Sequence, residues 1–160
     1  MADFATGIRE HQYYLDKEGR LFFEGAPIND PWTFRLFQRN LEVAPDGRYV
    51  VVCDGEYCYI RVEDVPYVVT DIEIAYDSED AIDGITLLFN GGYRERLDPS
   101  TLFVGEGNVL YCKVRKGRFP ARFNRSSYYS LTRVVEFNES EKFHIKVGQK
   151  PYRIAIKNQI

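Results

Sequence analysis

Leu21-Phe22-Phe23-Glu24-Gly25 and, 66 positions later, Leu87-Leu88-Phe89-Asn90-Gly91 read alike: three apolar residues, a polar one and a glycine. Each predicts a short strand running into a turn. The likeness continues along the chain in the same order. Asp30-Pro31 corresponds to Asp98-Pro99, Leu36-Phe37 to Leu102-Phe103, Gly55-Glu56-Tyr57 to Gly117-Arg118-Phe119, and Tyr67-Val68-Val69-Thr70 to Tyr129-Ser130-Leu131-Thr132. The shift stays between 62 and 68 positions. An ordered repeat of this kind reads as an internal duplication, and the competing reading is one hairpin grammar used twice. If two units exist, neither is large enough to bury much surface alone, so they pack together and leave a cleft between them.

Working outward, Tyr13-Tyr14-Leu15 and Leu21-Phe22-Phe23 flank Asp16-Lys17-Glu18-Gly19-Arg20 as a hairpin. Asn29 or Asp30 caps a short helix with Pro31 at its first position and Phe34, Phe37 and Leu41 on one face. Strands follow at Tyr49 to Cys53, Tyr57 to Val62 and Tyr67 to Ile74, with Asp54-Gly55 as a tight turn. Residues 75–83 are acidic and uninterrupted by a base, which reads as a linker. The expected division is an N-terminal unit at 1–76, an acidic linker at 77–83 and a C-terminal β-rich unit at 84–160. In the second unit Ile85 to Phe89, Tyr93 to Leu97, Leu102 to Val104, Val109 to Val114 and Phe119 to Phe123 read as strands. Ser126 to Val135 reads as the start of a helix, although the repeat alignment makes part of it a strand. Phe143 to Val147 and Tyr152 to Ile156 form a last hairpin. The fold class is α+β and β-rich: two small, similar antiparallel-sheet units with one or two short helices.

Composition agrees. The chain has 160 residues, 44% of them apolar and 28% charged, with mean hydropathy -0.37 and net charge -3. That is the profile of a globular chain, and 12 Tyr and 11 Phe favour strands. The first ten residues carry acids and no apolar core, so no signal peptide is expected, and no apolar run reaches membrane-helix length. Three cysteines, Cys53, Cys58 and Cys112, read as thiols in a reducing compartment, so the cytoplasm is the expected location and no membrane partner is expected. Two histidines and unpaired cysteine spacing give no metal site, and no cofactor is expected. His144 alternates outward between Phe143 and Ile145 and reads as exposed. Nucleotide-binding loops and nucleophile elbows are absent, and no catalytic group stands out.

Three stretches resemble the bacterial family catalogued as domain of unknown function 1285. Residues 16–28, Asp16-Lys17-Glu18-Gly19-Arg20 through Gly25-Ala26-Pro27-Ile28, followed by Leu36-Phe37, are similar to its DG-x-W-x-x-x-GSPI stretch with a downstream LF. Val62-Glu63-Asp64-Val65-Pro66-Tyr67 is similar to its VEDAPF signature. Arg115, Gly117, Ala121, Arg122, Arg125, Tyr128 and Leu131 match an R-x-G-x-x-x-AR-x-x-R-x-x-Y-x-x-L pattern. Leu21 stands where an aromatic is usual, Ala26 replaces Ser, and Val50 to Tyr59 lacks the family's TP-x-E pattern. The resemblance implies a duplicated core, a C-terminal half loosely like pleckstrin-homology domains, a pocket between the halves and a part in signal transduction. It implies no reaction.

Lys113, Arg115, Lys116, Arg118, Arg122, Arg125 and Arg133 lie within 21 positions with no acid among them. Arginine forks bind carboxylate or phosphate. If Arg115, Arg122 and Arg125 converge on the cleft, a small anionic ligand is favoured; a solvated strand face answering the acidic run is the plainer alternative. Glu63 and Asp64 could partner those arginines or accept hydrogen bonds from a ligand, or simply form a turn. Asn90 offers a polar loop at a strand end, and Tyr128 could stack on a ring or only pack. The functions weighed are, in order, a non-catalytic regulatory protein binding a small anion, a protein-interaction module, a nucleic-acid binder, and an enzyme. The net negative charge disfavours nucleic acid.

Overall fold

The structure, a computed structural model, describes residues 8–53 and 55–157. Asp54 of the expected tight turn, the Met1–Gly7 segment and the His11 side chain lie outside them.

The first sheet takes β1 (Ile8–Leu15), β2 (Leu21–Phe23), β3 (Ala26–Ile28), β4 (Leu41–Val43), β5 (Tyr49–Cys53) and β6 (Glu56–Val62). Its spatial order is β3-β2-β1-β6-β5-β4. The second takes β7 (Tyr67–Tyr76), β8 (Ile82–Phe89), β9 (Arg94–Arg96), β10 (Phe103–Val104), β11 (Leu110–Val114) and β12 (Phe119–Phe123), in the order β9-β8-β7-β12-β11-β10. Adding six to every strand of the first sheet gives the second. The chain is an α+β protein built of two similar units, and the likeness of the two sequence halves has a counterpart in topology. Each sheet is mixed rather than wholly antiparallel. Two antiparallel three-stranded meanders join through one parallel pair, β1 with β6 and β7 with β12.

The Asp-Pro pairs do the same local work in both units. Asp30 accepts from the N–H groups of Trp32 and Thr33 and starts α1 (Pro31–Asn40). Asp98 accepts from the N–H of Ser100 and starts a single 3-10 turn at Pro99–Thr101. Proline at the first position loses no hydrogen bond there. Phe34 and Phe37 set the buried face of α1.

Two expectations change. Residues 77–81 close the β7–β8 hairpin, with the Asp77 carboxylate accepting from the N–H groups of Glu79 and Ala81. The acidic segment is thus a strand connection inside the second sheet, and β7 pairs with β8 and β12 rather than with strands of the first. The chain passes between the sheets at residues 63–66. Residues 129–132 are helical, within α2 (Arg125–Thr132), so that part of the repeat alignment fails and the helix reading holds. Asn124 caps α2, and Ser127 anchors it by donating to the Val69 carbonyl at 2.7 Å.

A third sheet, β13 (Glu136–Asn138), β14 (Lys142–Val147) and β15 (Lys150–Arg153), follows α2. It contributes Ile145 to the main core. Here His144 departs from expectation. It is 1% exposed, on the central strand of this sheet, with Glu136 and Arg153 as its cross-strand neighbours. Finally β16 (Ala155–Ile156) joins the outer edge of β10 in parallel. The main core runs continuously from Leu15, Phe37 and Ile60 of the first unit to Leu87, Phe119 and Leu131 beyond it.

Candidate functional site

The passage between the sheets is tied on both sides. Glu63 accepts from the Lys17 N–H at 2.7 Å, and its own N–H donates to the Leu15 carbonyl. The next residue turns the other way. Asp64 Oδ2 accepts from Arg122 Nη1 at 2.9 Å and from the Tyr111 hydroxyl at 2.7 Å. Both charged side chains are 19% exposed, and Tyr111 is stacked on Phe103 in a small core with Val65. Burial, then the hydrogen bond to Asp64, pushes the Tyr111 phenol up to about 12.

Along the seam between the units, a second network meets at Gln38 of α1. Its side chain donates to the Asn90 carbonyl at 2.8 Å, and Asn90 in turn donates to the Gly19 carbonyl at 2.8 Å. The Gln38 carbonyl accepts from the Tyr67 hydroxyl and from Arg115 Nη1. Arg115 also donates to the Leu41 carbonyl at 3.0 Å and to the Tyr67 hydroxyl at 3.3 Å. A cation over the last carbonyls of a helix also complements its dipole. The Tyr67 phenol is raised to about 12, chiefly by burial.

These placements divide the basic run. Asp64 and Arg122 are brought together with Tyr111. Asn90 and Arg115 share Gln38. Arg125 lies over the Tyr129 ring at 5.7 Å and Tyr128 packs edge-on to Tyr129, both on α2. Arg115, Arg122 and Arg125 therefore engage three different sets of partners.

The other cations of the run gather elsewhere. The β11–β12 turn, Arg115 to Arg118, has Arg115, Lys116 and Gly117 all at positive φ. It overhangs a hollow of about 680 Å³ that Arg96, Lys113, Lys116 and Arg118 rim. Two carboxylates line the same hollow, and each is engaged. Glu95 accepts from the Tyr93 hydroxyl and from the Arg115 N–H, and Asp98 accepts from Ser100. Among the described residues Lys113 and Lys116 have no carboxylate partner, while Arg118 pairs with Glu42 of β4 at 2.6 Å. The hollow opens beside the seam, since Arg115 and Arg118 both reach the first unit. A second, less charged cleft of about 440 Å³ lies between the units, with Phe22, Ile28 and Phe34 on one side and Asn90 and Gly91 on the other.

Gln38, Glu42, Glu95 and Tyr111 were not legible as site residues. Each sits in an ordinary helix or strand pattern, and the partners that mark them, Asn90 for Gln38, Arg118 for Glu42, Arg115 for Glu95 and Asp64 for Tyr111, are distant in sequence. Among the described residues no group of three or more His, Cys, Asp or Glu side chains is placed to hold a metal, and no helix is long and apolar enough to cross a membrane.

The fold is that of the DUF1285 family proteins. A DUF1285 family protein from Silicibacter pomeroyi DSS-3 superposes with a TM-score of 0.70 at 22% identity, covering 92% of this chain and 82% of that one. One from Shewanella baltica OS155 gives 0.61 at 19% identity, covering 80% of this chain and 94% of that one. No family model and no curated protein matches the sequence.

Proposed function

We propose that this chain is a non-catalytic, regulatory small-molecule-binding protein of the cytoplasm whose ligand is a small anion held in the basic hollow at the seam. One observation carries the reading: four cationic side chains rim a ligand-sized concavity in which both carboxylates are already engaged, and among the described residues three of the four, Arg96, Lys113 and Lys116, have no carboxylate partner. Ligand pockets are commonly of this size and sit where units meet. The buried thiols Cys58 and Cys112 fit a reducing compartment. A thermal-shift panel of nucleotides, phosphosugars, dicarboxylates and pyrophosphate should find at least one stabilising anion. The shift should vanish in Lys113→Ala plus Lys116→Ala. A panel without a stabilising anion sinks the reading.

A second reading, a protein-interaction module, draws on the third sheet. Phe137 and Phe143 are 54% and 56% exposed with ring centroids 4.9 Å apart, on and beside the edge strand β13. Exposed strand edges accept added strands. Co-purification that depends on Phe137 would favour this reading over the first.

A further inference from the structure

Among the described residues Arg118 is the one cation of the basic hollow with a side-chain carboxylate partner, and that carboxylate comes from the other unit. Glu42 lies on β4, next to Leu41, whose carbonyl Arg115 holds. The β11–β12 turn therefore grips β4 at two successive residues with two kinds of bond. Arg115 reaches backbone carbonyls and a phenol, none of which an anion would displace. Arg118 reaches a charged carboxylate, the same chemistry that an anionic ligand would present. The two grips differ in strength as well. The Arg118 and Glu42 side chains are 50% and 46% exposed, so the pair is solvated and easily exchanged.

We infer that Glu42 is a tethered competitor for the anion site, occupying Arg118 until a ligand replaces it. The inference rests on the reading of the hollow given above. An incoming anion must break the Arg118–Glu42 pair to gain its third or fourth cation, so binding and this cross-unit contact oppose each other. Thermodynamic reciprocity follows: weakening the contact strengthens binding by the factor with which binding weakens the contact. Glu42 thereby sets affinity without touching the ligand, and it couples occupancy of a site on the second unit to the first.

The test is calorimetric titration of the full chain with inorganic pyrophosphate as probe. Glu42→Gln keeps the shape and removes the charge, and it should tighten binding by about two- to fivefold, the range an exposed ion pair spans. Glu42→Ala serves as a second variant. The gain should disappear when Arg118→Gln is present, because no cation is then released. Binding by the unaltered chain with no tightening in either Glu42 variant overturns the inference and leaves the proposed site standing. An equal gain with and without Arg118 also overturns it, since the effect would then be general charge removal. Absence of saturable binding in every variant, with Lys113→Ala plus Lys116→Ala indistinguishable from the rest, removes the anion site and the inference together.

Discussion

Glu63 and Asp64 are adjacent, yet their carboxylates hold opposite halves of the protein: Glu63 receives the Lys17 N–H of the first unit, and Asp64 receives Arg122 and Tyr111 of the second. The two residues lie in the bend between β6 and β7, and their opposed bonds make a two-residue clamp where the chain passes between the two six-stranded repeats. Asp64→Ala leaves the Arg122 guanidinium half-buried without its anion and the Tyr111 hydroxyl without its acceptor. It should cost about 2–4 kcal/mol in urea unfolding. A double-mutant cycle with Arg122→Ala should return a coupling of about 1–3 kcal/mol. Additive losses would show that the pair is not a unit.

Alkaline pH should weaken the fold through Tyr67 and Tyr111. Both phenols stand at about 12, above the ordinary value of 10.0. The folded state thus favours the neutral phenol, and that stability is fully present below pH 10. It falls as pH climbs from 10 towards 12. Each tyrosine contributes about 2–3 kcal/mol to that loss at most. Unfolding free energies at a series of alkaline pH values, beside the phenolate absorbance, would check the window. A flat profile up to pH 12 would refute it.

Gly91 should tolerate no side chain. Its φ is +86°, and a Cβ there would stand 2.3 Å from the Cβ of Phe34 across the seam. Gly91→Ala should lose about 3 kcal/mol. Gly117, with φ +82° and open space around it, should lose only about 1 kcal/mol on the same change. Similar losses at the two sites would mean that the units are not packed at Asn90-Gly91.

Arg115→Lys should behave nearly as badly as Arg115→Ala. The guanidinium reaches two carbonyls and a phenol, all through Nη1, and the shorter lysine side chain ends before that position. Both variants should lose about 1–3 kcal/mol, read from chemical denaturation. Full rescue by lysine would show that charge alone matters.

The parts that were legible in the sequence are those encoded locally. Asp30-Pro31 and Asp98-Pro99 announce helical starts because their side chains satisfy N–H groups two residues on. Strand alternation marked β6 and β7, and the ordered repeat anticipated two alike sheets. The acidic stretch near Asp77 misled because a solvated hairpin tip and a linker have the same composition; what distinguishes them is the Asp77 carboxylate folding back onto Ala81. The basic run was legible only in part. Convergence of Arg115, Arg122 and Arg125 is one of two readings of their closeness in sequence. They lie on a turn, a strand and a helix, and each engages its own partners. The clamp at Glu63-Asp64 was half visible, since partnership with an arginine was weighed, but Tyr111 lay in an apolar strand that offered no hint.

One asymmetry of the repeat bears on the order of assembly during translation. The first sheet is complete once Val62 has emerged, whereas the second gains its outermost strand only with Ala155–Ile156. Domains fold as their residues leave the ribosome, at about 5–20 residues per second. All strands of the first sheet are therefore out for several seconds while its seam face is still uncovered. Nascent-chain protection should set in early for the N-terminal sheet, and a chaperone that recognises exposed apolar faces would find its substrate in that interval rather than in the released protein.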